Sequence, residues 1–246
     1  MNHAALSNSL LDFLEEMNCV TSIDAAWKQA TTFMRGLGAS HVANNLVQKG
    51  SSHVYLHSSP AWTGEMYLEK VYPDHDPRLA HCENNVTPYF SGKGFWSRVP
   101  ELPARRQMFE QEVISVGIRS VVSVPVHMPA SRDWGYFGIA TDFRADEFDS
   151  FYEDHGTTLH LGAITAFNCI YALVREEQIK RIGLTGRERE CLLWLAKGLH
   201  NDRIAARMNI RPATVDFHMA NARRKLNAPT RDQALVAAIQ MGLIEP

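Results

Sequence analysis

No stretch of this 246-residue chain stays apolar long enough to be read as a membrane span, and its start carries no basic segment followed by an apolar core. Neither insertion nor export is therefore expected, and the expected location is the cytoplasm. Cysteine is scarce. Cys19, Cys82, Cys169 and Cys191 lie far apart and form no C-x-x-C pair, which argues for reduced, mostly buried thiols over a disulfide framework or a metal site. The chain has no G-x-S-x-G, no H-E-x-x-H and no phosphate-cradling glycine loop. His53 and His57 are four apart but have no third ligand. Enzymatic chemistry, a bound metal and a cofactor are accordingly not expected. There is no internal repeat and no low-complexity stretch. What remains is a globular composition, 45% apolar and 21% charged, of a length that suits one large or two ordinary domains.

The modest net charge of −2 hides an asymmetry. Residues 183–246 carry 10 Lys and Arg against 6 Asp and Glu, whereas residues 1–182 carry 15 against 21. A positive C-terminal module on a negative remainder suits a nucleic-acid reader joined to a domain with another task. The module's local signals agree. Thr185 and Glu188 form a T-x-x-E capping box that opens a helix, and Gly198 closes it. Asn201 is placed to cap a second helix, Asp202–Met208, with Ile204, Ala205 and Met208 inward. After a tight connection at Asn209 and Ile210, Pro212 opens the run Thr214–Leu226. There Val215, Met219, Ala222 and Leu226 share one stripe, while Asp216, Phe217, Ala220 and Arg224 lie away from it. Thr230 and Gln233 cap a last helix, which Gly242 stops. Two short helices, a turn and a helix with outward positions make a helix-turn-helix.

These residues carry a resemblance. LTGRERE, Gly198, Asn201 with Ile204-Ala205, Thr214-Val215, His218, Asn221, Lys225-Leu226, Arg231, Ala234 and the terminal Gly-Leu-Ile resemble the LuxR-type DNA-binding domain across residues 183–244. The resemblance implies that the Thr214 helix enters the major groove with Asp216, Phe217, Ala220 and Arg224 towards base edges. Arg211, Thr214 and Asn201, near helix starts, then hold phosphates. His218 and Asn221 are open between packing and DNA contact. Asp216 stands where the family often has Lys, and Arg211 replaces its usual Ser, leaving that helix without a good N-cap.

In the front half, Leu10–Met17 and Ile23–Leu37 have helical periodicity. His41–Gln48, Ser52–His57, Val121–Val126 and Tyr136–Phe143 read as strands. Pro103–Val116 and Ser150–Glu177 read as helices. The order predicts an α+β fold: an N-terminal α-β-α sandwich with an antiparallel sheet, PAS/GAF-like, and a C-terminal all-α helix-turn-helix domain of four helices. The charged, non-periodic Arg175–Gly183 is the expected linker, giving domains 1–174 and 184–246.

Trp62, Tyr67, Asp76-Pro77, Pro88-Tyr89-Phe90 and Gly117-Ile118-Arg119 resemble the autoinducer-binding domain of LuxR-type quorum-sensing receptors. That resemblance implies a site for acyl-homoserine lactones, with Trp62, Tyr67, Asp76, Phe90 and Trp96 as ligand-binding candidates. A buried carboxylate accepts from a ligand amide and a tyrosine donates to a carbonyl. Asp76 before Pro77 is equally a pattern for a turn or helix start. The match has departures. Four residues, not three, separate Trp62 from Tyr67; Ser58 or Ser59 replaces a family Tyr; Phe90 and Ser91 stand where a second Trp is usual. The expected signal is therefore an acyl-homoserine lactone or a related non-lactone metabolite. The expected partners are this signal, a palindromic promoter site in duplex DNA and a second copy of the chain. The alternatives are a response regulator, for which the front half lacks the clustered acidic residues of a receiver, and a ligand-independent LuxR-type regulator.

Overall fold

The computed structural model describes residues 3–48, 53–61, 63, 76–92, 111–128 and 133–244. By its packing the chain divides into two compact units, one up to Leu173 and one from Val174.

The first unit opens with α1 (His3–Cys19) and α2 (Ile23–Gly36). Ser22 caps α2 by accepting from the Ala25 N–H. Five strands follow: β1 (His41–Val47), β2 (His53–His57), β3 (Tyr89–Gly92), β4 (Ser120–His127) and β5 (Trp134–Thr141). They form one antiparallel sheet in the order β2-β1-β5-β4-β3. A short helix, α3 (Pro77–Asn84), lies between β2 and β3 in sequence, and α4 (Ala145–Ile182) follows β5.

Period-two alternation splits the sheet into two faces. Phe90, Val122, Ile139 and Val42 share one cross-strand row. This face packs on α2 and α4: Trp27 meets Phe137 at 6.3 Å, and Phe90 meets Tyr152 edge-on at 5.0 Å. Gly162 lets α4 approach α2, since an added Cβ would stand 2.6 Å from the Phe33 ring. Leu159, Ala163, Ala166, Phe167 and Ile170 are fully buried. The apolar character of α4 is thus that of a core helix, the one described helix long and apolar enough to span a membrane. The opposite face carries α3, where Cys82 packs with Trp134 and Tyr136. Burial pushes the Cys82 thiol up to about 12, with lesser opposed effects of Arg78 and Asp76, so it stays protonated. All four cysteines are free. An antiparallel sheet with helices on both sides is the layering expected from the sequence.

The expected linker is a correction. Arg175–Ile182 continues α4 as helix, supported by an i,i+4 pair between Glu176 and Lys180 at 2.8 Å, with Ile179 and Ile182 packed on the core of the second unit. The helix stops at Gly183, which takes φ +61°.

The second unit holds α5 (Gly186–Ala196), α6 (Asn201–Met208), α7 (Pro212–Lys225) and α8 (Arg231–Gln240) around a core that includes Leu192, Ile204, Val215, Ala222 and Ala234. Both capping boxes, Thr185–Glu188 and Thr230–Gln233, form. Asn209 takes a left-handed φ of 54° and turns the chain from α6 into α7. Arg211 precedes α7 without a side-chain cap, with Pro212 at its first turn. His200, not Asn201, occupies the N-cap of α6; Asn201 is the first helical residue and its side chain is used elsewhere.

Candidate ligand cavity and nucleic-acid interface

Over the α3 face of the sheet lies a part-open cavity of about 660 Å³, counting the space at its mouth. Its floor is made of residues with little side chain. Ala43 and Gly138 face each other across β1 and β5, and Ala140 and Val121 lie one step further along. Where larger residues would fill this layer, these leave a hollow.

α3 closes one side. Asp76 caps it by accepting from the Arg78 N–H at 2.9 Å, and its other oxygen accepts from Arg78 Nε at 3.2 Å and a terminal nitrogen at 2.9 Å. The pair is buried, and such charge-assisted contacts hold the guanidinium in a fixed plane. That guanidinium lies 5.0 Å from the centre of the Tyr136 ring and lines the cavity.

The ligand candidates from the sequence fall as follows. Trp62, Tyr67 and Trp96 lie outside the described residues. Asp76 is buried beside the cavity, and the helix-start reading of Asp76-Pro77 describes its bond to the Arg78 N–H. Phe90 is a correction: strand alternation sends its ring to the opposite face, against Phe148 and Tyr152. Its neighbour Ser91 lines the cavity instead. Sequence reasoning passed over Arg78 and His41, both lining residues. The available signal for Arg78 was its place two residues after a capping aspartate, where the carboxylate can hold it.

In the second unit, α7 presents Asp216, Phe217, Ala220 and Arg224 to solvent, with the Phe217 side chain 62% exposed. Its ring stands outward beside Asp216 and Ala220, on the face away from the buried Val215–Met219–Ala222 stripe. His218 is half-buried beside it, ring centroids 5.8 Å apart. Asn221 accepts from Arg224 at 3.0 Å. Arg211 is exposed and Thr214 half-buried at the start of α7. Asn201 is tied on both sides, its amide donating to the Asp216 carboxylate and its carbonyl accepting from Arg231 at 3.3 Å. One amide thus joins α6, α7 and α8, and Asp216 is steered by it. At the far end of α7, Lys225 donates to Glu188 at 2.7 and 3.0 Å and to the Gly183 carbonyl at 2.9 Å.

Residues 22–170 match the model described as autoinducer binding domain, and residues 183–238 match that of bacterial regulatory proteins, luxR family. The chain belongs to the LuxR family. The transcriptional activator protein AnoR of Acinetobacter nosocomialis is 26% identical over 196 residues, covering 78% of each chain. The crystal structure of Escherichia coli SdiA superposes with a TM-score of 0.72 at 19% identity, over 96% of this chain and 98% of that one. SdiA in complex with octanoyl-rac-glycerol gives 0.70 at 18% identity, over 100% and 99%. This LuxR-family chain is a transcriptional regulator with an autoinducer-binding domain, not an enzyme.

Proposed function

We propose that this regulator takes a small amphipathic signal, an acyl-homoserine lactone or a related non-lactone metabolite, into the sheet cavity in the cytoplasm. It binds a palindromic promoter site as a homodimer through α7. The observation that carries the reading is the pairing, in one chain, of a hollow over Gly138 with a recognition helix whose Phe217 stands in water. That SdiA has been solved with octanoyl-rac-glycerol supports an acyl-chain signal of wider chemistry than the lactones.

Asp216, Phe217, Ala220 and Arg224 face base edges in this reading. Arg211 and Thr214 hold phosphates, with Asn201 positioning Asp216. An apolar ring suits a thymine methyl, whereas an arginine contributes to every site through phosphate charge or reads guanine. Phe217→Ala therefore weakens cognate binding by about tenfold and leaves non-specific binding unchanged. Arg224→Ala, if it meets phosphate, lowers the salt slope by about one. Gel-shift titrations at several salt concentrations separate the two, and equal loss on cognate and random DNA for Phe217→Ala would place that ring away from the bases.

The homodimer draws support from α8. Val236 and Ile239, one turn apart, are 51% and 38% exposed, an apolar strip left part-open by the described residues of its own unit. Two modules on one palindrome gain by effective concentration. Val236→Glu is expected to weaken palindrome binding on the order of a hundredfold while half-site binding is kept. Sedimentation of the complexes checks it; an unchanged two-to-one complex would put the dimer contact elsewhere.

One observation favours the ligand-independent reading. Both Asp76 oxygens are engaged within α3, so a lactone amide meets a carboxylate already in use. A melting-temperature screen of acyl-homoserine lactones and other acyl and aromatic metabolites decides between the readings, since a ligand of the folded form raises stability.

A further inference from the structure

The cavity carries polar groups on opposite walls, and their placement says what kind of molecule it fits; the inference rests on the sensor reading above. At one end the Arg78 guanidinium lines the cavity beside the Tyr136 ring. Four residues further along β5, about 13 Å at strand spacing, Ala140 stands in a cross-strand row with His41, Val121 and Ser91. The two polar members of that row, His41 and Ser91, both line the cavity. His41 Nδ1 and Ser91 Oγ are buried with no hydrogen-bond partner among the described residues, and Ser91 as a whole is more than nine-tenths buried. Between the ends the floor is Ala43 and Gly138, which offer no side-chain polarity. Tyr55, Ser59 and Thr63 also line the cavity, but the Ser59 and Thr63 hydroxyls are already engaged with each other, the His57 ring and the Pro60 carbonyl.

A buried hydroxyl and a buried ring nitrogen without partners are rare in a native fold, and a cavity is where such groups wait for an occupant. A plain alkyl tail laid along this floor would cover both and pair neither. An oxygen at the far end of the ligand pairs one of them. Burial, with Arg35 nearby, holds the His41 ring below the usual histidine value. It is therefore neutral at pH 7, with one donor and one acceptor nitrogen, and matches a hydroxyl in either direction.

We propose that the cavity selects a ligand polar at both ends: an acceptor oxygen towards Arg78, and a hydroxyl or second carbonyl at the far end against His41 or Ser91. The class is that of oxygen-terminated acyl or aryl compounds, in contrast to a polar head on a bare alkyl chain. His41 and Ser91 are then the residues that set tail specificity.

The test compares the methyl ester of ω-hydroxyoctanoic acid with methyl nonanoate, which differ only by a hydroxyl in place of the terminal methyl group. Binding to the full-length protein is followed by calorimetry and by melting temperature. In an apolar tail site the methyl compound wins, because the hydroxyl must leave water. Here the hydroxy ester is expected to bind about tenfold tighter, one buried hydrogen bond's worth. His41→Leu or Ser91→Ala, whichever removes the partner, turns the preference towards methyl nonanoate, and the double variant does so fully. Equal or tighter binding of methyl nonanoate by the unmodified protein overturns the proposal. So does a hydroxyl preference that survives in the double variant. If neither ester nor any acyl-homoserine lactone binds, it is the sensor reading that fails, and this inference goes with it. The comparison on the unmodified protein stands even where a variant does not fold.

Discussion

Lys225→Met removes about 3 kcal/mol from the DNA-binding unit at neutral pH, and hydrogen exchange reports it as faster exchange of amides in α5 and α7 but not in the sheet. The Glu188 side chain is 4% exposed and depends on Lys225, itself 26% exposed, for its counter-charge. Breaking a buried pair from one side leaves an uncompensated charge, a loss of roughly 3–5 kcal/mol, and the partial exposure of Lys225 puts this case at the low end. A unit of this size has only several kcal/mol to lose. The pH dependence carries a sign. Burial pushes the Glu188 carboxyl up, but the Lys225 hydrogen bonds, the Thr185 backbone N–H and the Lys225 charge outweigh it and hold the group below its ordinary 4.5. A group whose folded value is depressed contributes fully above its unfolded value and is lost as pH falls through the folded one. Without Lys225 the burial effect stands alone and the carboxyl takes up a proton more readily. The unmodified protein and the variant therefore converge in stability as the pH falls through 4.5 and below the depressed folded value. A gap that stays constant from neutral pH to acid would show that Glu188 contributes nothing through its charge. Glu188→Gln combined with Lys225→Met recovers part of the loss.

Gly135→Ala strongly destabilises the sensor unit, whereas Gly138→Ala, three residues along the same strand, leaves its stability close to unchanged. A Cβ on Gly135 would stand far inside contact distance of the Asn45 carbonyl oxygen on β1 and 2.7 Å from a ring carbon of Phe167. Neither can retreat, because Asn45 belongs to the β1–β5 ladder and Phe167 is fully buried in the core. Overpacking of this kind is destabilising by about 3 kcal/mol or more. At Gly138 the nearest atoms would be 3.6–3.8 Å away, ordinary contact. That methyl group goes into the hollow, so its effect falls on ligand binding. Far-ultraviolet circular dichroism and melting of both variants check the pair; similar melting temperatures would mean that the β1–β5 pairing yields more easily than the geometry allows.

Signals confined to neighbouring residues were legible in the sequence. Thr185 with Glu188, Thr230 with Gln233 and Pro212 declared helix starts because caps are local chemistry, and the stripe of Val215, Met219 and Ala222 declared an inner face. The phase of a short strand was not. Whether Phe90 or Ser91 turns to the hollow depends on how β3 pairs with β4, a contact some thirty residues away, and the family resemblance covered both neighbours without giving the phase. Arg78 was invisible for a related reason: a buried arginine is recognised only once its carboxylate and its ring, here Asp76 and Tyr136, are found beside it. Asn201 was read as a cap because asparagine before a helix usually is one, and only the approach of α7 and α8 gives its amide other partners. Arg175–Ile182 looked like a linker because it is rich in charge, and its two apolar residues that pack on the second unit's core, Ile179 and Ile182, are too few to show a helical period.

The Asn201 amide, joined to Asp216 on one side and Arg231 on the other, has a practical corollary for rewiring promoter choice. Transplanting the reading segment alone from another regulator, with lysine arriving at position 216, would set two like charges around an amide arranged to receive one of each sign. Positions 201, 216 and 231 are better exchanged together, as a single inherited module of three.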